Sequence, residues 1–323
     1  MAVGGQAVLE GVMMRAPGMV ATAVRRANGE ITVKKEPQMP LSDKYPLLKL
    51  PILRGAVGLV EMMVIGIRTL NFSAEVAMED AEKASNANGN GKVKKPHSSS
   101  KESLMLGLTV AFSLAVGVAV FFITPLAVTT FLFDVEQDPF WFNVIAGGVR
   151  IALLVASLGV ISLLRDVKRL FQYHGAEHKA VFAFEKGEDL TAEAAAKQSR
   201  FHPRCGTSFL LIVMCTAIVL FSVLDVFLMQ WLGELNVLIR IATHLPLIPV
   251  VGGISYEFIR WSAKRSETPF GKFVVAPGLW LQEITTKEPD ESQLEVAVIA
   301  LRCALGEEYE PASPQRVDVI GVN

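Results

Sequence analysis

Two short groups of histidine, carboxylate and thiol side chains lie in the middle of the chain. Residues 173–178 read Tyr-His-Gly-Ala-Glu-His. In a helix, His174 and His178 lie one turn apart on one face, with Glu177 beside them. Two imidazoles at this spacing can hold one cation while the neighbouring glutamate acts as general base. The order H-x-x-E-H is that of the inverted zinc peptidases, although six residues are a weak match by themselves.

The second group, residues 202–208, reads His-Pro-Arg-Cys-Gly-Thr-Ser and immediately precedes a long apolar stretch. Thr207 or Ser208 can cap a helix that begins there. Cys205 would then lie just before a helix N-terminus, where the dipole and Arg204 favour the thiolate that binds metals. Imidazole and thiolate together suit Zn²⁺ or a similar transition metal.

These side chains allow two kinds of metal site. If His174, His178, His202 and Cys205 all bind, the site is closed, which is typical of a structural metal. If three bind and Glu177 stays free, one position remains open for water, which is typical of a catalytic metal. A metal-free Cys–His nucleophile and a polar packing cluster are the alternatives without a metal.

Four apolar stretches are long enough to position these groups at a membrane surface. The chain has 323 residues, 51% of them hydrophobic, and its net charge of -1 gives no basic field that would attract nucleic acid. A helix needs roughly 20 apolar residues to cross a bilayer. The stretches of that length are Leu104–Phe133, Phe140–Leu164, Thr207–Leu232 and Asn236–Trp261. We predict a mainly α, polytopic bundle of four transmembrane helices in contact with lipid, its fourth span bent or interrupted by prolines and glycines.

Lysine and arginine predict the orientation of these spans. The short loops 134–139 and 233–235 contain neither residue, whereas the loop 165–206, which holds the histidine groups, contains eight. Positively charged loops stay in the cytoplasm. We therefore expect a multi-pass protein of the cytoplasmic membrane with both termini and the histidine groups inside. Residues 1–17 lack the apolar core of a signal peptide, so we expect no cleaved leader.

The N-terminal segment 1–82 is predicted to be a small cytoplasmic or interfacial α+β part. An Asn-Gly pair at positions 28 and 29 of the alternating stretch 21–36 predicts a β-hairpin. Charges spaced by seven residues make 47–80 an amphipathic helix, either interfacial or packed against the bundle, with a plain soluble helix as the alternative. The composition of 83–103 predicts a flexible linker, with His97 solvated.

The remaining segments flank the predicted functional region. The linker leads to a membrane domain, 104–261, and a C-terminal cytoplasmic segment, 262–323, follows it. Within the latter, 277–288 is predicted to be a loop or short strand. Apolar spacing predicts a helix over 290–305.

Charged side chains lie well inside the predicted spans, away from their cytoplasmic ends. Arg150 and Asp225 have similar depths, so we predict that they pair. Arg240 is close enough to the outer surface for its guanidinium to reach water, with His244 one turn further along. A polar pathway for protons or ions is the functional alternative to a structural pair.

Polar residues of the N-terminal segment can support the site. Glu10 can supply a carboxylate ligand or hold a ligand histidine; the alternative is a pair with Arg15 or Arg54. Arg15 and Tyr173 are further supporting candidates. The glycines at 4, 5 and 11 permit close backbone approach.

Several of these motifs resemble the YqhQ-like family of bacterial membrane proteins. The resemblance covers nearly the whole chain, apart from the linker and the last fifteen or so residues, and is carried by residues 4–15, 173–178, 202–208 and 277–289. The family is of unknown function and is labelled as predicted metal-dependent enzymes. The resemblance therefore implies a membrane protein with a metal-dependent activity.

Three functions fit these observations. The first is a metal-dependent hydrolase at the cytoplasmic face, with Glu177 as general base. The second is a non-enzymatic scaffold or assembly factor with a structural metal. The third is a small ion or solute transporter, which four spans without internal repeats make weak. The substrate, and a protein partner or homo-oligomer, stay open.

Overall fold

The chain forms a helical bundle joined to a small sheet covered by helices on both faces. The structure is a computed structural model, and it describes residues 3–87, 100–263, 265, 268–307 and 318–320. The strands are β1 (Gly4–Val8), β2 (Gly11–Ala16), β3 (Gly18–Arg25), β4 (Ile31–Gln38) and β5 (Asp318–Ile320). The helices are α1 (Leu41–Lys44), α2 (Leu53–Ala87), α3 (Ser100–Val118), α4 (Thr124–Leu132), α5 (Pro139–Ile161), α6 (Arg165–Glu185), α7 (Ala192–Ala196), α8 (Gly206–Leu232), α9 (Val237–His244), α10 (Ile248–Ala263), α11 (Pro269–Thr285) and α12 (Glu291–Ala304).

The N-terminal sheet has four antiparallel strands in sequence order, and β5 adds in parallel to β4. The predicted hairpin is confirmed as β3 and β4, with Gly29 at φ 88° in the connection. The motif at residues 4–15 forms a second hairpin, β1 and β2. Glu10 lies in its turn at φ 53°, a conformation that few residues other than glycine adopt.

The sheet is the middle of three layers. On one face, Val12 and Met14 pack with the buried side chains of α6 and α12, including Ile299. On the other face, Val8 packs against Phe72 of α2. Both faces of the sheet are therefore buried, and α6, which carries the predicted metal ligands, is held directly against β1.

Among the described residues, four helical segments are long and apolar enough to cross a membrane, which confirms the predicted four-span bundle. They are Gly107–Leu132, Pro139–Ile161, Gly206–Leu232 and Val237–Ser262. A π turn at Ala119–Ile123 interrupts the first, and a 3-10 turn at Leu245–Leu247 interrupts the fourth. The interruption of the fourth span falls at Pro246, whose ring cannot continue a regular helix.

Helix α2 packs against the bundle at its start and against the sheet further along. Gly55 meets Gly253 of α10, where an added Cβ would lie 3.0 Å from the Gly253 backbone. Arg54 forms an ion pair with Glu257 beside this crossing. The glycine pair of the fourth span therefore makes room for α2.

Two connecting segments differ from the sequence prediction. Residues 83–87, predicted as linker, continue α2, and 100–103 begin α3; residues 88–99, including His97, lie outside the described part. The loop or strand predicted at 277–288 is wrong, because α11 continues through Pro277 to Thr285. Gly278 lets α11 approach α8 closely, because an added Cβ would lie 2.3 Å from Ser208 Oγ.

Candidate metal centre

His174, His178 and Cys205 bring their side chains together where α6 meets the start of α8. One nitrogen of each imidazole and Sγ of Cys205 all lie within 4.8 Å of one another. His174 Nε2 lies 3.2 Å from Sγ. The two rings pack edge to face with centroids 4.5 Å apart, as the i, i+4 spacing on α6 predicts.

Backbone carbonyls fix the protonation pattern of both imidazoles. His174 Nδ1 lies 2.8 Å from the carbonyl oxygen of Thr285, and His178 Nδ1 lies 2.5 Å from that of Arg200. A carbonyl oxygen only accepts, so each Nδ1 carries the hydrogen and each Nε2 keeps a lone pair. This is the usual orientation of metal-binding histidines.

Cys205 is the N-cap residue of α8. Its Sγ accepts a hydrogen bond from the Thr207 backbone N–H at 3.5 Å and lies 3.1 Å from Thr207 Oγ1. Thr207 and Ser208, the predicted caps, lie two and three residues past the cap position, because the helix begins at Gly206. The cap position places the thiol at the end of an apolar helix, close to the imidazoles of His174 and His178.

Glu177 is a buried carboxyl beside these ligand atoms. Its Oε2 lies 3.5 Å from His178 Nε2, and the Gly5 backbone N–H donates a hydrogen bond to it. An added Cβ at Gly5 would lie 2.7 Å from Glu177 Cγ, so only glycine fits there without displacement. Burial raises the pKa of Glu177, and the nearby His174 and His202 oppose this rise. A buried glutamate of raised pKa is suited to exchange a proton.

His202 does not join the three ligand atoms. Its Nε2 lies 3.4 Å from Glu185 Oε2, and its Nδ1 accepts a hydrogen bond from the Arg204 backbone N–H at 3.2 Å. Both ring nitrogens of His202 thus have other partners, and the structure does not bring the four side chains together as a closed set. Burial lowers the pKa of His202 and of His178, which keeps both rings neutral.

A cavity of about 590 Å³ opens beside the three ligand atoms. Its volume is in the range of small-molecule sites. It lies between the end of the sheet, α2, α6 and the start of α8. Besides the ligands, its lining includes Gly5, Arg15, Asp43, Met62, Glu177 and Arg204.

The predicted supporting residues Glu10 and Tyr173 form a separate group. Both carboxylate oxygens of Glu10 accept hydrogen bonds from Arg169, with Oε2 2.6 Å from Nη2, and the Tyr173 hydroxyl donates at 3.3 Å. The predicted pair of Glu10 with Arg15 or Arg54 is wrong, because Arg169 of α6 lies opposite the β1–β2 turn. This ion pair fastens the first hairpin to the helix that carries the histidines.

The predicted Arg150–Asp225 pair is also wrong. Asp225 accepts hydrogen bonds from Arg240 Nε at 3.0 Å and from His244 Nε2 at 2.8 Å. Arg150 Nε instead donates to the Phe121 carbonyl at 2.8 Å, in the π turn. Arg240 is fully buried rather than directed to the surface, because Asp225 offers it a partner inside the bundle.

The sequence gives little sign of several residues that shape the site. Gln282 is fully buried, and its amide donates to the His202 carbonyl while accepting from the His202 N–H. The carbonyls of Thr285 and Arg200 orient the two ligand histidines. A backbone carbonyl can come from any residue type, so the sequence does not indicate these two contacts. Gln282 is a polar residue at the end of an apolar run, and this is a signal that the sequence does contain.

Comparison with known proteins places the chain in a family. Residues 50–307 match a family model described as protein of unknown function (DUF1385). The chain is 34% identical over 305 residues to the uncharacterized protein YqhQ of Bacillus subtilis strain 168, covering 92% of this chain and 90% of that protein. No solved structure matches the chain. The resemblance carried by the motifs is thus confirmed, and the chain belongs to the DUF1385 family of YqhQ-like proteins.

Proposed function

We propose that this protein is a membrane-embedded, zinc-dependent hydrolase with His174, His178 and Cys205 as ligands and Glu177 as general base. The observation that carries the proposal is that three ligand atoms converge, not four, beside a cavity of about 590 Å³. Three protein ligands with an open fourth position are typical of catalytic zinc, whereas structural zinc is closed by four.

The three side chains fit a zinc ion in chemistry and in spacing. Tetrahedral nitrogen and sulfur ligands at normal zinc bond lengths lie about 3.5 Å apart. The His174 Nε2 to Cys205 Sγ distance is 3.2 Å, and the three ligand atoms all lie within 4.8 Å of one another. Small side-chain adjustments are therefore sufficient to bind the ion, and no ring has to break its carbonyl hydrogen bond.

Glu177 is placed to move a proton in this site. A zinc ion held by the three ligands would supply Lewis-acid activation of water and of the scissile group. The Glu177 carboxylate would accept the proton of the attacking water and return it to the leaving group. Burial raises its pKa, as it does for enzyme carboxyl groups that take up and release protons.

The first test is the metal content of the purified full-length protein. Wild type and Cys215→Ser are expected to carry close to one zinc per chain, and Cys205→Ser far less. Cys215 is a matched control because it is another free cysteine, on the same helix α8 but away from the histidines. Less than about 0.2 zinc per chain in carefully handled wild type contradicts the proposal.

A cobalt-substituted sample separates a catalytic metal from a structural one. An open site binds an added hydroxamate, which changes the visible cobalt spectrum, whereas a closed structural site does not respond. Glu177→Gln is expected to keep the metal and the spectrum while abolishing turnover of any substrate that wild type hydrolyses. An unresponsive spectrum would support the scaffold function instead.

We also propose that the site faces the cytoplasm of a bacterial cell. Support comes from the basic residues of 165–206 and from the absence of lysine and arginine in the loops at the other ends of the spans. An impermeant maleimide applied to whole cells should label Glu234→Cys but not Glu188→Cys. Both glutamates are exposed, one on each side. Labelling of Glu188→Cys alone would show that the site faces outward, opposite to the proposed orientation.

A further inference from the structure

Arg15 is a cation in the candidate catalytic cavity that has no carboxylate partner among the described residues. It lies on β2, half-buried, and its Nη1 contacts Met62 Sδ on α2 at 3.0 Å. We propose that Arg15 binds a phosphate group of the substrate, which makes phosphate esters the substrate class of the hydrolase. The catalytic part rests on the proposed function; the binding part stands on Arg15 and the cavity.

The other charged side chains that line the cavity are already paired. Arg204 forms an ion pair with Glu185, and Asp43 lies 3.4 Å from Lys49. Glu177 is engaged with Gly5 and His178. Within the described part of the chain, the guanidinium of Arg15 is therefore the uncompensated charge of the cavity, and an anionic ligand complements it. A guanidinium binds the oxygens of a phosphate in bidentate fashion.

The position of Arg15 is set by the sheet. Arg15 pairs with Gly4 of β1 and with Val20 of β3, so its backbone is fixed on both sides. Met13, two residues earlier on the same face, packs with Ile65 of α2. The side chain therefore points to the α2 side of the cavity, while Gly5 of the neighbouring strand touches Glu177. One end of the sheet thus carries both an anion-binding group and the backbone that holds the general base.

The surroundings of the cavity offer one source of such a phosphate, the headgroup layer of a membrane. Its rim includes Pro40 and Asp43, and the segment that continues from them exposes apolar side chains. These are Met39, Leu41, Tyr45, Leu47, Leu50, Ile52 and Leu53. The exposed Lys44 and Lys49 lie in the same segment. Apolar, tyrosine and lysine side chains together are typical of a surface in the headgroup layer of a bilayer.

The chemistry of the site agrees with this substrate class. Hydrolysis of a phosphate ester breaks the P–O bond to the leaving alkoxide while an oxygen of water bonds to phosphorus. Glu177 takes the proton of the water and gives it to the alkoxide. Negative charge grows on the non-bridging and leaving oxygens, and cations placed around them stabilise it. Arg15 is a positioning and charge-stabilising group in this step.

Phosphate binding can be measured without knowing the natural substrate. Full-length protein in detergent is titrated with inorganic phosphate and with dihexanoyl phosphatidic acid, by calorimetry, as wild type, Arg15→Met, Arg15→Lys and Arg68→Met. Arg15→Met is expected to weaken binding between about 10-fold and 100-fold, and Arg15→Lys less. Arg68→Met should bind like wild type, because Arg68 is exposed on α2 outside the cavity.

Each outcome decides the inference. Tighter binding of the lipid identifies a lipid headgroup as the source of the phosphate, and equal binding identifies a soluble ester; both support the proposal. Equal affinities of wild type and Arg15→Met overturn it, as does equal competition by acetate or no binding of either phosphate probe. Unfolding temperatures show whether Arg15→Met is folded, and Arg15→Lys repeats the test if it is not.

The same titration distinguishes failure of this inference from failure of the proposed function. If wild type carries no zinc but binds phosphate through Arg15, the hydrolase proposal fails and the binding site stands. If zinc is present and phosphate binding is independent of Arg15, the metal centre stands and the substrate class is wrong.

Discussion

Histidines occur in two buried polar groups of this protein, and the two groups use them differently. In the candidate metal centre, His174 and His178 turn one nitrogen to a backbone carbonyl and leave the other facing Cys205 and a cavity. In the intramembrane group, His244 and Arg240 both direct a nitrogen to Asp225. The first arrangement keeps nitrogen lone pairs available for a ligand. In the second, the charged side chains pair with one another.

The intramembrane group is also closed by packing. The Arg240 guanidinium lies over the Phe142 ring at 3.4 Å, and His244 stacks on Phe221 at 4.1 Å. Asn143 adds a third hydrogen bond to Asp225 at 2.8 Å. The comparison indicates that the intramembrane group joins α5, α8 and α9, while the candidate metal centre leaves its ring nitrogens open toward a cavity. Variants of the two groups should therefore fail in different ways.

The largest effect is expected for Asp225→Ala. Removing the carboxylate leaves Arg240 and His244 buried without their carboxylate partner, which costs about 3–5 kcal/mol of unfolding free energy. Zinc per folded chain should not change. The measurement is unfolding in mixed detergent together with elemental analysis, and Glu234→Ala, in an exposed loop, should stay within about 0.5 kcal/mol of wild type. Loss of zinc without loss of stability would remove the distinction between the two groups.

The next effect is the stabilisation that zinc itself provides. Free zinc at 100 times its dissociation constant raises the unfolding free energy by about 2.7 kcal/mol. Wild type and Asp225→Ala should both gain this increment over chelator-treated samples, and Cys205→Ser should gain much less. Thermal unfolding with and without chelator measures it. A smaller increment in Asp225→Ala than in wild type would show that the two groups are coupled.

A smaller effect is expected where the sheet touches the metal centre. Gly5→Ala places a Cβ 2.5 Å from the Met13 carbonyl and 2.7 Å from Glu177 Cγ, which should cost about 1–3 kcal/mol. Gly4→Ala meets no atom within 4 Å and is the matched control. Both variants should keep zinc, because Glu177 is not a ligand in the proposed site. Equal unfolding temperatures of the two variants would refute the close contact.

The smallest effect concerns a single hydrogen bond of the intramembrane group. Asn143→Ala removes one of the three partners of Asp225, at a cost of about 1 kcal/mol. Asn143→Asp should destabilise more, because it places a second carboxyl beside Asp225. The order of the two unfolding free energies is the result to compare. If Asn143→Ala were the less stable variant, Asn143 would stabilise the bundle mainly through the space that its side chain fills.

Local patterns explain which features the sequence could predict. The four spans follow from apolar length, and the β3–β4 hairpin follows from the Asn-Gly turn, because both depend on neighbouring residues. The i, i+4 pair of His174 and His178 is likewise a local property of α6.

The mistakes came from contacts between distant elements. Depth in the bilayer places Arg150 near Asp225, but it does not tell which face of each helix carries the charge. Helix α11 was missed because Pro277 is normally a helix breaker, while the packing that stabilises the helix lies on α8. Proximity in sequence likewise does not show where the ring nitrogens of His202 point, which here is toward Glu185 and the Arg204 backbone N–H.

The distribution of the metal centre along the chain has a consequence for biosynthesis. Glu177 is held by Gly5, and His174 is oriented by Thr285, so the centre draws on residues 280 positions apart. All three candidate ligands have been synthesised once the chain reaches Cys205. The Thr285 carbonyl that orients His174 is synthesised only after the fourth span. A nascent chain therefore completes the candidate metal centre late, after the fourth span has been synthesised.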